Sequence, residues 1–317
     1  MRHLISLKEQ SKQDLLDILN IAQKLKAKRK AGESVDVLHN QTLIMLFQKT
    51  STRTRLSFEA GMTELGGHGI YLDARNTQFA LTAFKDEIQA VMRYGAVLMF
   101  RALKAEDVMT AASLNKIPVI DACSEKYHPC QALGDILTMM EHSNGLENIK
   151  KVTWLGIENN VSNTLQLACA KLGIEVAIAA PEANPPSVDT ELNDLANATG
   201  LIKRTTDLAE AMTNTDYVHT DTWIDMEFFK DGKVIPEYQA EYDRRLATFK
   251  PFQLSAELVD TYSPKAGIMH CMPCHIGYEI SREAIDHKNS VIFDQAENRM
   301  HIQKAIIIWL LELENKI

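Results

Sequence analysis

Hydroxyl and guanidinium side chains crowd into Ser51-Thr52-Arg53-Thr54-Arg55, shortly after the apolar run Leu43-Ile44-Met45-Leu46-Phe47. If the run is a strand and a helix begins at the hydroxyls, the stretch is an oxyanion cradle. Backbone N–H groups at a helix start carry partial positive charge, and the arginines add charged donors to phosphate oxygens. The competing reading is ordinary, because Ser or Thr before a helix caps it and arginines on its surface are solvated. The local sequence does not separate the two.

Other candidates carry the same ambiguity. Arg101 closes the apolar run Ala96-Val97-Leu98-Met99-Phe100, where an unpaired charge is costly unless it meets an ion-pair partner or an anionic ligand. His128-Pro129-Cys130-Gln131 reads as a helix start, with proline near its first position and the histidine at the cap, facing a ligand or serving structure. Gln131 adds an amide one turn in. Asn159 and Asn160 sit between a strand and a helix, and helix capping is their default role. His270-Cys271-Met272-Pro273-Cys274-His275 holds enough sulfur and imidazole to suggest zinc. Its crowding and the missing second ligand pair do not match structural zinc spacings, so a metal-free catalytic loop is expected. In Asp294-Gln295-Ala296-Glu297-Asn298-Arg299, Arg299 either serves an anion or pairs locally with Glu297 and Asp294.

Composition limits the partners. A net charge of −8 gives no general attraction to nucleic acid or anionic lipid, so an anion must be caught by locally concentrated arginine. Five cysteines, Cys123, Cys130, Cys169, Cys271 and Cys274, are odd in number and lack the spacing of a secreted disulfide scaffold. A reducing cytoplasm is expected, with no export signal, no membrane insertion and no nucleic-acid partner.

The elements that must position these residues alternate. Leu15, Leu16, Ile18, Leu19, Ala22 and Leu25 recur at helical spacing over 11–30, with a capping-box pattern at Ser11 and Asp14. Apolar strands are expected to end near Phe47, Leu72, Arg101 and Cys123, with helices such as Ala105 to Leu114 between them. Pro129 to His142 reads as a longer helix. A second alternation runs through 152–156, 176–180, Tyr217-Val218, Ile268-Met269 and a strand at 291–293, before an apolar helix from Met300 to Leu313. The pattern predicts an α/β chain of two domains, each a parallel sheet flanked by helices, with bridging helices between them. The expected boundaries are 1–140 and 141–317, the last helix (about 299–314) reaching back to the first domain. Ligands of open parallel sheets gather beyond the carboxyl ends of the strands. Ser51, Arg101, His128, Asn160, Asp221 and Cys271 all fall there or at helix starts, which predicts a single cleft.

In their order and spacing, Ser51 to Arg55, His128-Pro129-Cys130-Gln131-Ala132-Leu133, His270-Cys271-Met272-Pro273 and Asp294 to Arg299 together resemble the motifs of the carbamoyltransferases, specifically the ornithine carbamoyltransferase branch. The resemblance covers nearly the whole chain. It implies a carbamoyl phosphate domain followed by an amino-substrate domain, a homotrimer or multiple of trimers with active sites at subunit interfaces, no metal and no organic cofactor. It also implies roles. Ser51, Thr52, Arg53 and Thr54 hold the phosphate. Arg101 and His128 lie near the carbamoyl oxygen, Gln131 on its amide, and Gln78 reaches a neighbouring subunit's site. Cys271, Met272 and Arg299 complete the pocket, while Asn160, Asp221, Asp225 and Met226 face the amino substrate. Arg101, His128 and Cys271 are the expected catalytic set.

Three segments depart from that branch. Asp225-Met226-Glu227 stands where Ser-Met-Gly is usual, so two added carboxylates alter the acceptor pocket. Thr77 to Phe84 is mostly apolar where the branch is polar and charged, and Ile276 occupies a position that is often basic. The expected reaction is transfer from carbamoyl phosphate to the side-chain amine of L-ornithine, giving citrulline and phosphate, within arginine metabolism. The alternatives are another amine acceptor, such as a diamine or a modified ornithine, and a catalytically silent homologue. A nucleotide-binding dehydrogenase is disfavoured because Gly156-Ile157-Glu158-Asn159-Asn160 lacks the glycine fingerprint.

Overall fold

The computed structural model describes residues 1–225, 228–230 and 232–317, and for Ala80 the backbone alone. In chain order the elements begin with α1 (Lys12–Lys30), β1 (Thr42–Phe47), α2 (Thr52–Glu64), β2 (His68–Asp73), α3 (Phe84–Val91) and β3 (Val97–Arg101). They continue with α4 (Ala105–Ser113), β4 (Val119–Asp121), α5 (Pro129–His142), β5 (Lys151–Leu155), α6 (Asn160–Leu172) and β6 (Glu175–Ala179). Next come α7 (Thr190–Asn197), β7 (Ile202–Thr205), α8 (Leu208–Met212), β8 (Tyr217–Thr220), β9 (Phe229–Lys230) and β10 (Lys233–Val234). The chain closes with α9 (Gln239–Phe249), α10 (Ala256–Tyr262), β11 (Gly267–His270), α11 (Arg282–Ile285) and α12 (Ile292–Leu310). Ser11 and Asp14 form the expected capping box, and Lys28, Arg29 and Lys30 complement the negative end of the α1 dipole.

Two compact units result. One takes Met1–Leu137, Asn163–Ala168 and Glu297–Ile317, the other Thr138–Ser162 and Cys169–Ala296, so α5, α6 and α12 each contribute residues to both. The first unit holds a parallel sheet of order β2-β1-β3-β4, in which Phe47 is level with Arg101. Ile44, Leu46, Leu98 and Phe100 pack there with Ile88 of α3, Met92 just after it, and Val108 and Ala111 of α4. Phe79, Phe84 and Phe100 form a ladder with ring centroids 6.0 and 5.8 Å apart. That contact explains the apolar character of 77–84: two of its aromatics belong to the core, while Leu81 is exposed.

The second unit holds the parallel order β11-β8-β5-β6-β7. Leu155, Ala177, Ala179, Val218 and Ile268 form one core with Met212, Val259, Ile280 and Ile292. Central strands read as continuous apolar runs because both of their faces are covered. β7, a half-exposed edge strand, lacks that run and gave no sequence signal.

The strand expected at 291–293 is not one. Ser290 makes an isolated bridge to Ile268 and Val291 donates to the Ile268 carbonyl, after which the chain turns helical at Ile292. A short apolar run is as compatible with the first turn of a buried helix as with a strand, and the helix-favouring Gln295-Ala296-Glu297 decides it. The last helix therefore begins at Ile292 and ends at Leu310, not at Met300 and Leu313. No helix among the described residues is long and apolar enough to cross a membrane.

Candidate active site

In both sheets the candidate residues flank the place where strand order reverses, which is where open α/β sheets leave a crevice. In the first unit this lies between β1 and β3. Ser51 caps α2, its hydroxyl accepting the Thr54 N–H at 3.3 Å, so the sequence's capping reading and its anion-cradle reading describe one helix start. Thr54 is fully buried, and two guanidiniums meet its hydroxyl: Arg101 Nη1 at 3.3 Å and Arg299 Nη2 at 3.0 Å. Arg299 is thus not consumed by its neighbours in sequence. Glu297 pairs with Arg29 and Asp294 with His142. Arg53 is half-buried beside the cradle and Thr52 exposed at its mouth, whereas Arg55 turns away to pair with Glu59 at 2.9 Å and stack on Tyr71.

The α5 start brings further groups. The His128 backbone donates to Thr164 Oγ1 at 2.9 Å, while ring atom Nδ1 is buried without a hydrogen-bond partner among the described residues. Burial, reinforced by the positive charges of Arg299, Arg101 and Lys49, holds this imidazole well below its ordinary pKa. It is neutral at physiological pH. Gln131 is fully buried, donating to Asp135 at 2.8 Å and leaving Oε1 unmatched; Arg101 Nε is likewise unmatched. Buried donors and acceptors without partners mark a surface made for something else. Gln78 is exposed next to the Phe79–Leu81 turn and is not joined to this group.

In the second unit the reversal lies between β5 and β8. Gly156 lets β5 leave the sheet. Its φ is +99°, and an added Cβ would sit 2.6 Å from Trp223 Nε1. Asn159 then caps α6, and Asn160 is that helix's first residue, half-buried. Asp221, just past β8, is nearly buried and receives Asn159 Nδ2 at 2.8 Å, the Thr222 N–H at 2.8 Å and the Cys271 thiol at 3.1 Å. Met272 has a left-handed backbone, φ 54°, and its side chain packs against the core. Asp225 lies 3.0 Å from Arg245, a buried arginine that also donates to the Trp223 carbonyl. Met226 and Glu227 lie outside the described residues.

The sequence reading missed two residues here and read a third, Asn159, as a helix cap alone. Glu279, fully buried, accepts from His270 Nε2 at 3.2 Å and is engaged by His275. Burial alone would raise its carboxyl, but the bonds from His270 and His275 pull the pKa down to about 2, and His275 is raised in return. His275 also meets Thr222 Oγ1 at 2.9 Å, tying the loop after β11 to the loop after β8. Arg245 and the Asn159 amide are the other two. None had a sequence signal: a lone glutamate in a loop, one of two arginines on an amphipathic helix, and an asparagine fully explained by capping.

Asp221, His270 and Cys271 lie close enough together to suggest a cation site. The imidazole does not fit it. Nδ1 accepts the Met272 N–H at 2.8 Å, which leaves the proton on Nε2 facing Glu279, so neither nitrogen offers a lone pair to a metal.

Residues 2–141 match the carbamoyl-P binding domain of aspartate/ornithine carbamoyltransferase, and residues 148–310 match its Asp/Orn binding domain. The chain belongs to the aspartate/ornithine carbamoyltransferase family. Among its relatives, the ornithine carbamoyltransferase of Methanospirillum hungatei is 40% identical over 98% of this chain and 99% of its own. That of Archaeoglobus fulgidus is 37% identical over the full length of both. The solved ornithine carbamoyltransferase of Pyrococcus furiosus superposes with a TM-score of 0.88 at 35% identity, covering 97% of this chain and 96% of that one. In this carbamoyltransferase, then, the unmatched polar atoms belong to the part matching the carbamoyl-P binding domain, and the Asp221 cluster to the part matching the Asp/Orn binding domain.

Proposed function

We propose that this carbamoyltransferase moves the carbamoyl group of carbamoyl phosphate to the side-chain amine of L-ornithine, giving citrulline and phosphate. The observation that carries the donor half is the meeting of Arg101 and Arg299 on Thr54 at the α2 start. Two fixed guanidiniums and a helix N-terminus suit a dianionic phosphate. Ser51, Thr52, Arg53 and Thr54 hold that phosphate with Arg299; Arg101, His128 and Gln131 face the carbamoyl group. The acceptor's α-ammonium and carboxylate engage Asp221 and Asn160, with Cys271 and Met272 around its side chain.

A neutral amine attacks the carbamoyl carbon, its lone pair forming the new C–N bond while the C=O electrons move to oxygen. Collapse of that oxyanion breaks the bond to phosphate. Donors fixed on the oxyanion, from Arg101, Thr54 and neutral His128, favour the transition state by about 3 to 4 kcal/mol each. A neutral imidazole donates one N–H without adding charge. The attacking nitrogen's proton passes to the departing phosphate directly or by way of Cys271, so the products are citrulline and hydrogen phosphate.

Asp225 bears on the acceptor's identity. Its pairing with Arg245 neutralises it, so it offers a second substrate cation little attraction, and ornithine is favoured over a diamine on this count. The assembly in this reading is a homotrimer or multiple of trimers, with exposed Gln78 completing a neighbouring subunit's site, in the cytoplasm and without metal or organic cofactor. The test is phosphate release from carbamoyl phosphate with ornithine, lysine, putrescine and N-modified ornithine. Ornithine is expected to lead by kcat/KM; putrescine matching or exceeding it overturns the assignment. A Gln78→Ala chain mixed with an inactive partner tests the shared site through restored activity.

A further inference from the structure

Asn159 does more than its position requires. Its Oδ1 accepts two backbone N–H groups, Val161 at 3.0 Å and Ser162 at 3.2 Å, which is a complete helix cap. Those bonds also fix which way the amide faces, because the flipped form would set NH2 against two N–H donors. Nδ2 therefore points off the helix, and it meets Asp221 Oδ2 at 2.8 Å. The other oxygen of Asp221 takes the Cys271 thiol and the Thr222 N–H. Thr222 adjoins Asp221 on the same loop, and the thiol swings about a single torsion. Asn159 is the one donor of the three anchored on a separate, rigid element.

We infer that Asn159 is the positioning residue that holds the Asp221 carboxylate in place for the amino substrate, and through it sets the Cys271 thiol. The inference rests on the reading that Asp221 engages the acceptor's ammonium. It separates cleanly from capping because Asn and Asp cap helices about equally well. If capping were the whole role, Asn159→Asp would be silent. If Asn159 positions Asp221, the substitution sets two carboxylates within hydrogen-bond distance, where they cannot both ionise freely.

The experiment compares steady-state kinetics of wild type, Asn159→Asp and Asn159→Ser between pH 6 and 9, with thermal midpoints alongside. Asn159→Asp is expected to raise KM for ornithine at pH 8 by about tenfold or more, leaving KM for carbamoyl phosphate within about twofold. The deficit relative to wild type shrinks toward pH 6, where one shared proton restores a donor to Asp221. Asn159→Ser keeps a cap and loses the donor, so its ornithine KM rises without recovery at low pH. A wild-type ornithine KM in either folded variant across the range overturns the inference.

A second measurement does not need the acceptor's identity. In a Cys274→Ala background, the rate of Cys271 alkylation by iodoacetamide at pH 8 is expected to fall about threefold or more in Asn159→Asp, because added negative charge disfavours the thiolate. An unchanged rate overturns the positioning role. Absence of ornithine turnover in wild type with slowed alkylation in the variant overturns the functional reading alone.

Discussion

The two units solve opposite problems with similar sheets. Around Thr54 the first unit gathers positive charge and leaves polar groups unmatched among the described residues: Arg101 Nε, His128 Nδ1 and Gln131 Oε1. Around Asp221 the second unit ties its charged groups to one another, in the runs Asn159–Asp221–Cys271, His270–Glu279–His275 and Asp225–Arg245. A surface of fixed guanidiniums at a helix start suits an anion whose negative charge persists through the reaction. A self-satisfied cluster suits a zwitterion that must be oriented and must surrender a proton, since each group it displaces keeps another partner. The difference predicts that donor-side substitutions damage the chemical step and acceptor-side ones damage binding.

The largest effect tests that division directly. On the proposed reading, Arg101→Ala removes an oxyanion donor and should lower kcat by about 100- to 1000-fold with folding intact; a loss confined to KM would erase the contrast. Asp221→Asn comes next. It should raise KM for ornithine by about 10- to 100-fold while changing KM for carbamoyl phosphate little, as expected for a lost charged hydrogen bond. Substrate saturation curves for both substrates read both outcomes.

Stability sharpens the comparison at smaller scale. Glu279→Gln leaves the two histidines short of a charged acceptor and should cost about 1 to 3 kcal/mol by denaturant unfolding at pH 7. The Glu279 pKa is lowered to about 2 from its ordinary 4.5, so its contribution is complete above pH 4.5 and is lost as pH falls toward 2. The variant's stability should be flatter across that window. In the first unit, burial and then Lys304 lower His301 to about 4 from 6.5, so the unfolded chain binds the proton first and stability falls between pH 6.5 and 4. His301→Asn should flatten this milder limb, measured as thermal midpoint against pH. Coincident acid limbs in both variants would mean that the units do not differ in this way.

Much of the fold was legible because both sheets bury their central strands on two faces, which writes continuous apolar runs such as 43–47 and 96–100 into the chain. The motif residues were legible for a related reason: strand ends and helix starts are marked by capping chemistry, and Ser51, His128 and Asn160 all sit there. Edge strand β7 and the start of α12 were not legible, the first because half-exposed strands lack an apolar run, the second because the three apolar residues 291–293 fit either period. Glu279 and Arg245 were hidden more deeply. Their work depends on partners nine and twenty residues away, brought near only by the fold.

The bond between Arg299 and Thr54 joins residues 245 positions apart. A ribosome therefore delivers the cradle's helix start long before the guanidinium that completes it, and the second unit's sheet must be threaded out in between. Domains tend to fold in order of synthesis, but here the earlier-made unit stays unfinished until residues 297–317 join it. Nascent chains stalled anywhere before Arg299 lack one of the two guanidiniums that meet Thr54. On the proposed reading, full phosphate affinity is a property that the chain acquires only once Arg299 has been made.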